Sequence, residues 1–517
     1  MESKESILLT ILFNHPMSYL MQASLVAVVL WFFVFSKNKS NRKTNQNESA
    51  DSKSSKNLSK AKTFRSKASI QDQEKRISRW QPEPLTSPLN DSNHFALNLR
   101  KVSSFYGKSI TINEKKCLNL ATHNYLGLAE DEQCIDDAIL AVRKYGVGSC
   151  GPRGFFGTVD IHLKLEEEIA RFMRTEEAIL YSYGYAAISS AIPAYSSKKD
   201  VIFVDENVSF PIQQGLIASR SNIKYFKHND MEDLKRLLEE QRRLDLENPK
   251  LAKITSRFLV VEGLYINSGD LCPLKEIIEL KKEHKVRLFI EDTCAFGVLG
   301  ENGRGTVEHF GCEIEDIDMI AVSLEFACAS YGGFCAGSSF VIDHQRLSGL
   351  GYCFSASLPP LQAAYAYRAL KQIEKKPELL KSLKENCTLM HNLLSERSDL
   401  ISVDSSSISP VKHIRFAEKI DEARLEKFSI SREKFSKLKL YQLDVERLEN
   451  VVELAFEEGY ALTLARYLIQ HEHKLPEPSI RLTVSASLTS IEIELFVQKL
   501  IEAFQQAQKN FYQNKLQ

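Results

Sequence analysis

Asp318-Met-Ile-Ala-Val-Ser-Leu-Glu-Phe-Ala-Cys-Ala-Ser-Tyr-Gly-Gly333 opens as a strand and closes as a turn. Met319 to Leu324 is a short apolar run with an acid before it and Gly-Gly beyond it, the pattern of a strand buried on both faces. The same kind of run recurs upstream as Ala178-Ile-Leu-Tyr-Ser-Tyr183, Val201-Ile-Phe-Val-Asp205, Phe258-Leu-Val-Val-Glu-Gly-Leu-Tyr265 and Arg287-Leu-Phe-Ile-Glu-Asp292. Between these runs lie stretches of helical period, such as the one starting at Met231. Short buried strands alternating with helices predict an α/β fold with a mostly parallel sheet covered on both faces. After Pro359-Pro360, helical patterns over 361–376 and 490–508 flank a strand over 479–486, which predicts a smaller α+β domain.

The 517 residues suffice for two or three domains. Zero formal net charge gives no argument for a nucleic-acid partner. Ten scattered cysteines form no C-x-x-C pair and no metal-ligand spacing, which predicts neither a disulfide framework nor a metal site. Tyr19 to Phe35 is apolar enough to cross a bilayer with its flanks, and Lys37, Lys39, Arg42 and Lys43 follow it. Basic residues after the run, with Glu2 and Glu5 before it, predict a single-pass anchor with the C-terminal bulk in the cytosol. A buried or interfacial helix is the alternative. The expected division is an N-terminal segment (1–16), a transmembrane helix (17–36), a polar basic linker (37–79), an N-terminal arm (80–129), a large domain (130–375) and a small C-terminal domain (376–517).

Several ordered segments carry a family resemblance. Asn124-Tyr-Leu-Gly-Leu128, the glycine-rich Tyr145 to Thr158 followed by His162 and Leu165-Glu166, and Gly297 to Gly305 all match in sequence order. With the 318–333 segment they resemble the α-oxoamine synthases, a branch of the fold-type I pyridoxal-phosphate (PLP) transferases. Trp80 to Leu85, Cys150-Gly-Pro-Arg-Gly-Phe155 and Phe340 to Gly349 are most similar to a non-catalytic subunit within that family. The resemblance implies a PLP-transferase fold. In the family, a lysine in the 318–333 segment holds PLP as a Schiff base.

Here that position is Phe326, preceded by Glu325, and there is no lysine between Lys285 and Lys371. The family's pyridinium-binding aspartate corresponds to Glu291, and the histidine of the same segment to Cys294. The ring-stacking histidine corresponds to Ser209, and a family hydroxyl segment to Ile266 and Asn267. The carboxylate-binding arginine is kept as Arg481, either in that role or as a structural residue. By this resemblance the chain has no catalytic residue of its own.

Family members are dimers with shared active sites, so such a chain is expected to serve its neighbour. The resemblance makes Ser357, helped by Ser355, a donor to the partner's PLP phosphate; a local turn before the proline pair is the alternative. Cys150 and Arg153 are the candidates for influencing substrate choice at the shared entrance, with a plain packing role as the alternative for Cys150. The partner implied is a catalytic, lysine-bearing paralogue that binds PLP and condenses L-serine with palmitoyl-CoA to 3-ketodihydrosphingosine. Small membrane activating subunits, ORM-type regulators and an endoplasmic reticulum location are implied with it. A purely structural scaffold and an autonomous PLP-dependent acyltransferase are the alternative functions.

Overall fold

The computed structural model describes residues 70–83, 85, 97–420 and 437–516. The apolar run Tyr19–Phe35 lies outside the described residues. Among the described residues, no helix is long and apolar enough to cross a membrane. Ile70–Arg79, inside the span expected to be linker, is an α-helix. Its Gln, Glu, Lys and Arg are good helix formers, and Arg76 and Arg79 fall in the last turn where the helix dipole favours cations. Few large apolar residues over this span had read as a solvated linker.

Residues 99–517 form the second compact unit. It begins with an antiparallel hairpin, β1 (Ser109–Ile112) and β2 (Lys115–Asn119). The central sheet is built from β3 (Glu177–Tyr181), β4 (Val201–Asp205), β5 (Asn222–Phe226), β6 (Arg257–Glu262), β7 (Arg287–Glu291), β8 (Met319–Ser323) and β9 (Gly333–Gly337). Its order is β3-β9-β8-β7-β6-β4-β5, and β9 alone runs against the others. The expectation of a mostly parallel sheet is met. β4 and β8 are buried at every position, as strands covered by helices on both faces must be.

Helices supply the cover. Met231–Glu247 is capped by Asp230, whose carboxylate accepts from the Asp233 amide, and it buries Leu234, Leu237 and Leu238 in helical register. β9 was not legible because Gly-Phe-Cys-Ala-Gly reads as a turn. Its small residues are required by packing: a Cβ on Gly333 would come within 2.7 Å of the Gly184 Cα.

The C-terminal part holds β10 (Ile401–Val403), β11 (Val411–Phe416), β12 (Tyr460–Ala461), β13 (Thr463–Leu464) and β14 (Ile480–Thr483). β10-β11-β14-β13 form an antiparallel sheet, and β12 joins β2 in parallel. Pro377–Ser395, Lys437–Glu457 and Ser490–Leu516 are its long helices. The expected strand and C-terminal helix are both present. One continuous apolar cluster includes both Phe203 of β4 and Phe496 and Phe504 of the last helix.

Candidate functional site

In an open parallel sheet, ligands bind beyond the carboxyl ends of the strands. Here those ends carry Asp205, Glu262, Glu291 and Ser323. Glu262 and Glu291 are register partners on adjacent strands, and both are buried. The Ser209 amide and the Ile266 amide, at 2.9 Å from Oε2, donate to Glu262. Glu291 accepts from the Thr293 amide (3.1 Å) and the Thr293 hydroxyl. Burial pushes Glu262 up to about 7, and burial with the charge of Glu262 pushes Glu291 well above the usual carboxylate range. Two acids this close and this dry cannot both ionise, so the pair retains a proton at neutral pH.

Phe326 is half-buried. Its ring stacks on His123 at 3.9 Å between centroids and 13° between planes, and Tyr125 meets it edge-on at 5.7 Å. The Tyr125 hydroxyl lies 2.9 Å from His123 Nδ1 and 3.9 Å from the sulfur of Cys294. Burial, with Arg481 and His413 nearby, pushes His123 well below its usual value, so the ring is neutral. Burial pushes the Cys294 thiol well up, which makes it an inert core residue. Aromatic pairs of this kind contribute about 0.5–1.5 kcal/mol each beyond area burial.

Nothing in the sequence pointed to His123. The ring stands beside a well-recognised motif, but its partner is 203 positions away. Ser209, buried as the N-cap of Phe210–Ser219, offers no ring. Ile266 and Asn267 present backbone and amide groups: the Ile266 carbonyl accepts from His413 (2.8 Å), and Asn267 Nδ2 donates to the Asn207 carbonyl (3.3 Å). Arg481 sits on β14 opposite His413, and its Nε is buried without a hydrogen-bond partner among the described residues. His413 also bonds Ser479 Oγ (2.8 Å), and burial pushes its pKa down to about 4.

A polar clamp beside the site was likewise not foreseen. His228 bridges Asp205 (2.9 Å) and Asp270 (2.8 Å), tying the ends of β4 and β5 to the turn after β6. Burial alone would lower its pKa, but the two carboxylates outweigh that and push it up to about 10. His228 is therefore a fixed cation.

The glycine-rich loop is held from beneath. Arg153 is buried in a two-bonded pair with Glu166 (2.7 and 2.8 Å), and its Nε donates to Thr158 Oγ1 (2.9 Å). Glu166 also accepts from the Leu180 amide (2.9 Å), so the clamp links loop, helix and β3. The charge of Arg153 is therefore paired inside this chain. Cys150 is exposed, with φ +58°. Ser357 is buried, with its hydroxyl 2.5 Å from both Ser149 Oγ and the Gly157 carbonyl. Ser355 is half-buried, donates to the Gly351 carbonyl (2.8 Å) and lies 3.2 Å from Ser182 Oγ. The Ser357 bonds pin the segment to the loop, and the Ser355 bonds tie it to Gly351 and to Ser182 beyond β3.

Tested against PLP, this residue set does not fit. An imine needs an amine, and the ring of Phe326 supplies none. A pyridinium needs a free carboxylate, and burial beside Glu262 disfavours one at Glu291.

The family model for aminotransferase class I and II matches residues 115–500, and the chain belongs to that family. Its relatives include Serine palmitoyltransferase 1 of Dictyostelium discoideum, 42% identical over 82% of this chain and 85% of that one. Long chain base biosynthesis protein 1b of Oryza sativa subsp. japonica is 46% identical over 65% and 68% of the two chains. Serine palmitoyltransferase 1 of Saccharomyces cerevisiae is 32% identical over 81% and 79%. A solved serine palmitoyltransferase from Sphingomonas wittichii has the same fold, with a TM-score of 0.68 at 23% identity over 86% of this chain and 98% of that one.

Proposed function

We propose that this chain is the non-catalytic subunit of a serine palmitoyltransferase, paired with a lysine-bearing paralogue that binds PLP and condenses L-serine with palmitoyl-CoA to 3-ketodihydrosphingosine. The observation that carries the reading is the Phe326–His123 stack, which puts two aromatic rings and no amine at the family's anchoring position. Relatives named Serine palmitoyltransferase 1 support the reaction.

The loop surface supports a pairing role. Phe156 is fully exposed, and Val147, Phe155 and Phe354 are exposed beside it. Large aromatic groups left in water around a rigid glycine-rich loop mark a contact surface. In the assembly this loop meets the catalytic subunit, with Cys150 at the edge of the shared site. The 355–357 segment is offered to the partner's PLP phosphate. Ser355 is the more exposed of its two hydroxyl residues, and Ser357 sets the segment's shape. The apolar run Tyr19–Phe35 anchors the assembly in the endoplasmic reticulum membrane, where the small activating subunits and ORM-type regulators also reside.

The test is expression of this chain alone, the paralogue alone and the two together. Condensing activity confined to the pair supports the proposal. Activity from this chain alone would overturn it. Cys150→Trp, which places bulk at the loop edge, separates the scaffold alternative: a scaffold predicts unchanged amino-acid selectivity at normal assembly.

A further inference from the structure

Beyond the Phe326–His123 stack the site opens into a cleft of about 1060 Å³, slightly above the ~300–1,000 Å³ usual for small-molecule sites. Its lining is largely apolar and aromatic, including Phe105, Tyr106, Leu361 and Tyr365, with Thr122, Ser330 and Gln362 among its polar groups. Among the described residues no lysine or arginine lines it, and its one histidine, His123, is neutral. Among the described residues the one charge it offers is the carboxylate of Glu325. That side chain is half-buried, no cationic group pairs with it among the described residues, and burial raises its pKa.

A cleft with these groups selects by exclusion. Phosphate-bearing ligands find no cation, and a zwitterionic amino acid whose ammonium pairs with Glu325 leaves its carboxylate without one. A primary amine without a carboxylate meets the reverse situation: it supplies the missing counter-charge, and aromatic faces favour it further. An alkyl chain on that amine has an apolar wall to cover.

We propose that this cleft binds a long-chain primary amine, with the ammonium at Glu325, hydroxyls toward Thr122 and Gln362, and the chain along Phe105, Tyr106 and Leu361. The inference rests on the proposed function for the amine's source. Decarboxylative condensation removes the carboxylate, keeps the amine and adds the alkyl chain, so the cleft matches the product class and rejects the substrate. The inactive half then senses product, and its occupancy slows the active half.

The test uses the full heterodimer in lipid nanodiscs, with radiolabelled 2-aminooctadecane-1,3-diol and octadecane-1,3-diol, which lacks the amine, as probes. Glu325→Gln should weaken saturable amine binding at this site tenfold or more and leave diol binding unchanged. Glu325→Asp should keep the preference for amine over diol. Leu361→Trp, which narrows the apolar end, should weaken both probes. Uninhibited turnover should be unchanged in Glu325→Gln, while inhibition by added amine should be relieved. Equal affinity for both probes in the unsubstituted protein, or equal losses for both in Glu325→Gln, would overturn the inference. Loss of condensing activity in every heterodimer would instead refute the proposed function.

Discussion

Replacing Arg153 by Met tests how the contact loop is held. The substitution keeps most of the side chain's length and removes its charge and all its donors. The Arg153–Glu166 pair is shielded, with side-chain exposures of 5% and 9%, so it is outside the regime where exposed pairs contribute about 0–1 kcal/mol. Removing one partner leaves Glu166 buried with the Leu180 amide as its remaining donor, a loss of about 3–5 kcal/mol. The loop's own amides read this directly: Phe155 and Gly157 both donate to the Pro152 carbonyl, at 2.9 and 3.0 Å. At about 1.4 kcal/mol per tenfold, a loss of ~3 kcal/mol speeds hydrogen exchange at those amides by roughly 150-fold. The assay is amide exchange with mass spectrometry on the assembled protein. The companion Arg153→Met/Glu166→Leu should recover much of the protection, because the isolated charge is gone. Acceleration below tenfold in the single variant, or a double variant no better than the single, would refute the clamp.

Four further outcomes follow. Phe326→Lys in this chain should not create condensing activity without the paralogue, because Ser209 still supplies no stacking ring and burial beside Glu262 still disfavours a free carboxylate at Glu291; product formation by the lone variant would count against this. His228 titrates higher in the fold than unfolded, so its contribution is fully present below about pH 6.5 and is lost as pH rises through about 10. Glu262 acts with the same sign in a lower window: stability falls as pH rises from its unfolded value of about 4.3 through about 7, and Glu262→Gln should flatten that fall in a denaturation series across pH. Phe156→Asp should leave the fold intact, since the ring has no buried contact to lose, and should reduce recovery of the paralogue in co-purification; undiminished recovery would place the contact surface elsewhere.

The sheet was legible where burial on both faces makes a continuous apolar run, as in β4, β6, β7 and β8. It was not legible at β5, an edge strand with a mixed pattern, or at β9, whose glycines answer to the crowding of Gly184 rather than to a turn. The site's altered positions, Phe326, Ser209, Cys294 and Glu291, could be located because each sits in a recognisable local motif. What fills the space around Phe326 could not. His123 reaches it only through the folded chain, and the His228 clamp draws on three separate segments. Arg153 shows the converse case: its motif was visible, but only the fold reveals that its charge is buried against Glu166.

The central claim is that PLP chemistry in the assembly belongs to the partner and not to this chain. Borohydride reduction of the active heterodimer, followed by peptide mass spectrometry, locates the covalent pyridoxyl group. The account predicts pyridoxyl-lysine on the paralogue and none on any lysine of this chain. A pyridoxyl-lysine on this chain, in stoichiometric yield, would contradict it.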